Sequence, residues 1–203
     1  MKVWGIVVAA GSGERFGGGK HNAEIAGKPL WQHAHDVLVA GGCEGVVVVG
    51  DVPGGVAGGG RRQDSVANGL AQVPADVEVV LVHDAARPAA TSGLVAAVIN
   101  RLRDPAVDGV VPALSVTDTI KIHDAGVVTA TPPRAQVVAA QTPQGFRADV
   151  LRSAHRQPGD ATDDAELVER AGGRVVIVDG ETTNFKLTHR DDIERMRRAW
   201  RSV

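Results

Sequence analysis

The sequence predicts an α/β fold: a Rossmann-like, doubly wound and mostly parallel sheet with helices on both faces and a protruding β-hairpin arm. Short β-branched runs recur along the chain without polar alternation, as in strands that are covered on both faces. Segments with helical character separate these runs, and strands that alternate with helices favour a parallel sheet. One stretch, residues 115–141, interrupts the alternation and predicts the arm.

The predicted strands are "VWGIVVAA" from Val3, "EGVVVVG" from Glu44, "VEVVLVH" from Val77, "DGVVPAL" from Asp108 and "GRVVIVDG" from Gly173. The predicted helices cover residues 29–40, 64–72, 91–103, 148–155, 163–171 and 190–200. At the fifth helix, Asp163 and Glu166 have the spacing of a capping arrangement, and a substrate contact of this stretch is the alternative.

The arm sequence, "SVTDTIKIHDAGVVTATPPRAQVVAAQ", has two β-prone halves around a turn signal at Asp124-Ala125-Gly126. An excursion of this length from a compact domain is usually functional or used for association. We therefore predict one domain over residues 1–203, with residues 115–141 forming a β-arm for dimerisation. A surface hairpin without a partner is the alternative.

Composition excludes several classes of protein. The net charge of −2 gives no global field for nucleic acid or an anionic membrane. Aromatic residues make up only 3% of the 203 residues, so a base-binding site built on stacked rings is not expected. Cys43 is the single cysteine, which excludes an internal disulfide and fits a reducing compartment. Without a signal-like start or an apolar run of ~18 residues, we expect a soluble, cytoplasmic protein.

A glycine-rich loop follows the first predicted strand, in "VVAAGSGERFGGGKHNAEIAGKPL" from Val7. The dinucleotide fingerprint fails because Phe16 stands where its third glycine belongs. The ATP-type phosphate loop fails because Glu14 and His21 stand at two of its defining positions. A loop of this kind can still wrap a polyphosphate with its backbone N–H groups, and Arg15 and Lys20 add positive charge.

Two further stretches carry candidate chemistry. In "VLVHDAARPA" from Val80, Asp84 ends an apolar strand, where a carboxylate can hold Mg²⁺ against phosphates. Arg87 can grip a phosphate as a fork; a loop-capping Asp84 and a surface salt bridge of Arg87 are the alternatives. In "GGGRRQDSVANGL" from Gly58, a glycine loop leads into a helix, and no nucleophile elbow surrounds Ser65.

The motifs "AAGSGERFGGGK", "HDAARP", "SVTDTIK", "AAQTPQGF", "TDDAELVE" and "NFKLT" occur in this order over nearly the whole chain. In this combination the sequence resembles the 2-C-methyl-D-erythritol 4-phosphate cytidylyltransferases of the non-mevalonate isoprenoid pathway. "HDAARP" and "QTPQGF" are specific to that family, whereas many nucleotidyltransferases share the glycine-rich loop. The resemblance implies an enzyme that uses CTP, Mg²⁺ and the sugar-alcohol phosphate, with direct in-line attack on the α-phosphate and no covalent intermediate.

The resemblance also implies roles for individual residues. The backbone cradle of CTP would be Ala9, Ala10, Gly11, Ser12 and Gly13. The phosphates would meet Arg15 and Lys20, which with Lys186 are the expected catalytic residues. Cytosine and ribose would contact Gly59, Gly60, Arg62, Ser65 and Ala85. Asp84 would hold Mg²⁺. The sugar phosphate would bind Arg87, Thr119, Arg134, Thr142 and Lys186, with Thr119 and Arg134 reaching the neighbouring subunit of a homodimer.

The sequence departs from this family at two places. Gly19 precedes the loop lysine where relatives usually carry proline, and Thr183 stands where many place an acid. A sister enzyme acting on ribitol 5-phosphate would share the CTP half of the site. A nucleotide-binding homologue without catalysis is the alternative from a different class. The chain keeps the charged residues that catalysis would use, namely Arg15, Lys20, Asp84 and Lys186, and a scaffold needs none of them.

Overall fold

The computed structural model describes residues 1–11, 16 and 23–200, apart from the side chain of Ala199. The strands are β1 Val3–Val8, β2 Glu24–Ile25, β3 Lys28–Pro29, β4 Gly45–Val49, β5 Val79–Asp84, β6 Gly109–Ser115, β7 Ile122–Asp124, β8 Val127–Ala130, β9 Val138–Ala140, β10 Gln144–Arg147 and β11 Val175–Asp179. The helices are α1 Leu30–Ala40, α2 Arg62–Leu70, α3 Ser92–Arg101, α4 Ala148–Ala154, α5 Asp164–Arg170 and α6 Asp191–Trp200. A short 3-10 turn covers Arg134–Gln136.

The main sheet has the strand order β11-β6-β10-β5-β1-β4, and β9 pairs with the C-terminal half of β6. The β1–β4, β1–β5 and β11–β6 pairs are parallel, whereas β10 runs antiparallel to both of its neighbours. The predicted mostly parallel α/β sheet is therefore confirmed. β10 was not predicted, because its four residues lack the β-branched composition of the other strands.

Helices cover both faces of this sheet, as predicted. Along β5, Val80 and Val82 pack into a cluster with α2, α4 and α5. Val79 and Leu81 pack on the opposite face, in a cluster with α1 and α3. The expectation that every strand is covered on both faces holds for the central strand β5 but is wrong for the edge strand β11, where Ile177 is 56% exposed.

The six predicted helices are all present, and no helix end differs from its predicted position by more than two residues. α2 begins at Arg62, two residues earlier than predicted, because Asp64 accepts a hydrogen bond from the Arg61 backbone N–H (3.1 Å). α5 begins after Asp163, whose carboxylate accepts the Glu166 N–H at 3.0 Å. The predicted capping role of Asp163 is therefore confirmed. In the described part of the chain, no helix has the length and apolar character needed to cross a bilayer.

The arm is a hairpin with its turn where the sequence placed it. β7 and β8 pair antiparallel, and Ala125 and Gly126 between them have φ values of 44° and 86°. Both strands are exposed along their whole length. After the 3-10 turn, β9 returns the chain to β6. The hairpin is thus confirmed, while its use in dimerisation stays a prediction.

Candidate nucleotide and phosphate site

The loops that follow β1, β4 and β5 meet at one edge of the sheet. The Ala9 N–H donates to the Val49 carbonyl (2.7 Å), and the Ala85 N–H donates to the Val8 carbonyl (3.1 Å). These bonds join the carboxyl ends of neighbouring strands, where open α/β sheets bind ligands. The edge therefore brings the predicted ribose residue Ala85 next to the start of the glycine-rich loop.

The glycine loop 58–60 packs closely on this edge. A Cβ at Gly58 would lie 2.3 Å from the Ala10 Cβ, and a Cβ at Gly59 would lie 2.3 Å from the Asp64 Cβ. Both glycines are thus required by close approach rather than by unusual φ angles. The loop begins against Ala10, as expected if the two glycine-rich segments share one nucleotide.

The Ser65 hydroxyl holds this loop in place through two hydrogen bonds. It accepts the Gly59 N–H at 3.0 Å and donates to the Arg61 carbonyl at 3.2 Å, and the residue is only 2% exposed. These bonds hold Gly59 at the N-terminal end of α2. The predicted contact between Ser65 and the nucleotide stays a prediction.

Asp84 stands at the tip of β5 between two cations. Its Oδ2 accepts from Lys186 Nζ at 2.7 Å, and its Oδ1 accepts from Arg62 Nε at 3.2 Å. Burial would raise the pKa of Asp84, but the charges of Arg62 and Lys186 outweigh it and hold the pKa well below its usual value. The side chain is 10% exposed and remains ionised, as a ligand for a hard cation must be.

The carboxylate donor set fits Mg²⁺ bound together with a nucleotide. Among the described residues, no group of three or more His, Cys, Asp or Glu side chains could hold a metal by itself. Mg²⁺ is usually held by one or two carboxylates together with substrate phosphates and water. Asp84, ionised and located beside the glycine loops, satisfies that requirement. The alternative prediction was that Asp84 caps the following loop. Its carboxylate instead accepts from the side chains of Arg62 and Lys186.

Lys186 reaches Asp84 because its segment is fastened to the sheet. The Leu187 N–H donates to the Ala86 carbonyl at 2.9 Å. Gln141 exchanges two hydrogen bonds with the backbone of Glu181, at 2.9 and 3.0 Å. Asn184 Nδ2 donates to the Thr142 carbonyl at 2.9 Å. These bonds place the Lys186 ammonium over β5 while 44% of its side chain stays exposed.

Arg87 lies in the same neighbourhood but is held by carbonyls. Its Nη1 donates to the Asn184 carbonyl at 2.7 Å and its Nη2 to the Ala140 carbonyl at 3.2 Å. Its Nε is buried and has no hydrogen-bond partner within the described chain. Burial lowers the pKa of Arg87 from its ordinary value. Among the described residues the guanidinium forms no ion pair with a carboxylate, and both the phosphate contact and the surface salt bridge stay predictions.

Thr142 binds the backbone of Asp84, a role that the sequence did not indicate. Its hydroxyl accepts the Asp84 N–H at 3.0 Å and lies 2.8 Å from His83 Nδ1. His83 is fully buried, which lowers its pKa to about 4 and leaves the ring neutral at physiological pH. The predicted binding of sugar phosphate by Thr142 stays a prediction.

The remaining predicted residues lie elsewhere. Thr119 and Arg134 are exposed on the arm segment, and Arg134 Nη1 donates to the Thr117 carbonyl at 2.8 Å. The hydrogen bonds seen within the described chain do not link either residue to Asp84. The other predicted residues, Ser12, Gly13, Arg15 and Lys20, lie outside the described residues.

Known proteins are similar to this chain in both sequence and structure. The family model described as IspD, 2-C-methyl-D-erythritol 4-phosphate cytidylyltransferase, matches residues 3–199. A protein of that name from Rhodococcus jostii (strain RHA1) is 45% identical over 201 residues, which cover 90% of this chain and 88% of the relative. The crystal structure of the enzyme of that name from Thermus thermophilus has a TM-score of 0.82 at 32% identity, covering 97% and 98% of the two chains.

Longer relatives are also similar. The bifunctional enzyme IspD/IspF of Nitratidesulfovibrio vulgaris (strain DP4) is 42% identical over 225 residues, which cover 95% of this chain and 57% of the relative. The chain thus spans about half the length of the bifunctional relatives that it matches.

Proposed function

Since the chain belongs to the 2-C-methyl-D-erythritol 4-phosphate cytidylyltransferase family, we propose that it transfers CMP from CTP to 2-C-methyl-D-erythritol 4-phosphate. The products are 4-diphosphocytidyl-2-C-methyl-D-erythritol and pyrophosphate. The observation that carries the proposal is the ionised Asp84 between Lys186 and Arg62, beside the glycine loop that packs on Ala10. This arrangement suits a triphosphate and a hard cation.

The chain's own residues supply charge and position. The substrate phosphate attacks the α-phosphorus in line, and negative charge grows on the equatorial oxygens of that phosphorus. Lys186, half exposed and attached to Asp84 through one contact, can turn its ammonium towards these oxygens. A cation about 4 Å away contributes on the order of 4 kcal/mol at an effective dielectric constant of 20. If the interaction forms mainly in the transition state, the gain is roughly a thousandfold in rate.

The remaining predicted residues would complete the site. Arg15 and Lys20 would meet the phosphates, and the backbone from Ala9 to Gly13 would cradle them. Asp84 would hold Mg²⁺ against the triphosphate, and the ion would neutralise phosphate charge there. Arg87, Thr142 and Lys186 would receive the sugar phosphate.

We propose that the arm joins two copies of the chain in a homodimer. The arm exposes Ile122, Val127 and Val128, which are 53%, 68% and 55% accessible. Several large apolar side chains exposed on one hairpin favour an interaction site. Thr119 and Arg134 lie on the same segment, from which they would reach the sugar-phosphate site of a second copy. Sedimentation of the double variant Val127→Lys/Val128→Lys is expected to give a monomer; an unchanged dimer mass would contradict this use of the arm.

We also propose a cytoplasmic location. The free thiol of Cys43 is buried, and burial raises its pKa to about 12. The thiol is therefore unreactive. As the single cysteine of the sequence it forms no internal disulfide, so nothing in the chain depends on an oxidising compartment.

The proposed activity is tested by pyrophosphate release with Asp84→Asn. Loss of this carboxylate is expected to lower kcat by about a hundredfold or more, the range for one preorganised charge in an active site. Asp104→Asn is the matched control, since Asp104 forms an ion pair with Arg101 at the far end of α3 and such surface pairs contribute little. Equal rates for the two variants would contradict the assignment.

A further inference from the structure

Asp164 is a buried carboxylate to which the proposed mechanism gives no role. It is the first residue of α5 and has no exposed surface. The preceding residue, Asp163, already caps this helix. An ionised group is costly to bury, so an acid at this position calls for a reason beyond helix capping.

Asp164 divides its two oxygens between two partners from other elements. Its Oδ1 accepts from His155 Nε2 at 3.0 Å, and its Oδ2 accepts from Arg62 Nη1 at 2.6 Å. His155 lies at the end of α4 and its side chain is 7% exposed. Burial would raise the pKa of Asp164, but these two partners hold it below its usual value. His155 therefore donates from Nε2 to a carboxylate.

Arg62 connects this buried pair to the candidate site. The same guanidinium donates through Nη1 to Asp164 and through Nε to Asp84 Oδ1. Its neighbour Arg61 behaves differently, since it pairs with Asp64 and Asp160 on the surface. Both arginines thus pair with two carboxylates, but only the partners of Arg62, Asp84 and Asp164, are buried.

The two oxygens of Asp84 consequently differ. Oδ1 faces an arginine that is anchored on a second, buried acid. Oδ2 faces Lys186, whose side chain is 44% exposed. Lys186 can leave Oδ2 with little rearrangement, whereas Arg62 cannot leave Oδ1 without also losing Asp164.

We propose that Asp164, supported by His155, makes Arg62 a positioning residue that fixes the Asp84 carboxylate and presents Oδ2 to a divalent cation bound with the nucleotide. The inference rests on the proposed function only in that a metal–CTP complex binds at Asp84. Without the negative charge of Asp164, the Arg62 guanidinium would act on Asp84 alone and compete with the cation. Loss of a partner behind a metal ligand typically lowers metal affinity about tenfold to a hundredfold.

The test measures binding without turnover. Equilibrium dialysis of labelled CTP, with no sugar phosphate present, gives Kd in EDTA and Kd with saturating Mn²⁺. The Kd in EDTA divided by the Kd with Mn²⁺ reports how strongly the metal contributes to nucleotide binding. Asp164→Asn is expected to lower this ratio about tenfold, with a much smaller change of Kd in EDTA.

Two sets of variants separate positioning from general damage. Asp163→Asn is the matched control, because it removes a charge from the adjacent residue, which contacts Gln144 and the Glu166 N–H but not Arg62. It is expected to keep the wild-type ratio. His155→Gln retains a donor for Asp164 and is expected to keep most of the ratio, whereas His155→Leu is expected to lower it. This pair carries the test if Asp164→Asn does not fold.

The outcomes are distinct. A ratio in Asp164→Asn within twofold of wild type, or an equal loss in Asp163→Asn, would overturn the positioning role while leaving cytidylyl transfer intact. A wild-type ratio of one would remove the metal role of Asp84 and this inference with it. The positioning role is supported if the ratio falls in Asp164→Asn and His155→Leu and is retained in Asp163→Asn and His155→Gln.

Discussion

Replacing Arg62 with methionine tests how strongly the buried carboxylate depends on its partner. Methionine fills a similar volume but cannot donate to Asp164, which has no exposed surface. Removing one partner of a buried ion pair typically costs about 3 to 5 kcal/mol, and here the Asp164 charge would stay buried with only the His155 hydrogen bond. For a chain of this size, 1 kcal/mol corresponds to about 2 to 4 °C, so Tm is expected to fall by about 6 to 20 °C.

The double variant Arg62→Met/Asp164→Asn separates this mechanism from simple loss of packing. It removes the orphaned charge together with its partner, so it is expected to be about 2 kcal/mol more stable than Arg62→Met. Urea unfolding monitored by circular dichroism measures both free energies. A loss of less than about 1 kcal/mol in Arg62→Met, or further destabilisation by the second substitution, would show that Asp164 does not depend on Arg62 in this way.

Three further predictions follow from other parts of the site. Lys20→Ala is expected to lower kcat by roughly two to three powers of ten, since its contact would form mainly in the transition state; steady-state rates with an unchanged kcat and a raised KM would contradict this role. His83 has a pKa of about 4 against 6.5 for the free side chain, so below pH 6.5 the unfolded chain takes up a proton that the folded chain does not. The free energy of unfolding should therefore fall by about 3 kcal/mol as pH falls from 6.5 to about 4, and by less in His83→Gln. Urea unfolding that shows the same pH dependence in both proteins would contradict this prediction. Gly58→Ala should lose about 1 to 3 kcal/mol because its Cβ would lie 2.3 Å from Ala10, whereas Gly60→Ala, with its nearest atom at 3.9 Å, should keep the wild-type Tm.

Much of the fold could be predicted because the strong signals are local. The apolar run before "HDAARP" predicts β5, and the rule that ligands bind beyond the carboxyl ends of strands then places Asp84 at the candidate site. The turn at Asp124 to Gly126 was predictable because such residues favour turns, and Ala125 and Gly126 adopt positive φ. β10 was not, since "QGFR" has little intrinsic preference for a strand. It becomes one because it fills the position between β5 and β6, where Phe146 is fully buried.

The part of the site that was missed depends on distant residues. Asp164 is 102 residues from Arg62 along the chain, and no local pattern joins them. The one available signal was the pair of consecutive acids in "TDDAELVE", one more than a helix cap requires. Likewise the roles of Thr142 and Asn184 follow from a buried hydrogen-bond network that only the folded chain assembles.

Transfer of CMP from CTP is measured by pyrophosphate release with four nucleoside triphosphates, each paired with 2-C-methyl-D-erythritol 4-phosphate or ribitol 5-phosphate. We expect fastest release with CTP and 2-C-methyl-D-erythritol 4-phosphate. Release only with ribitol 5-phosphate would move the chain to the sister activity, and CTP binding without release from any pair would contradict catalysis altogether.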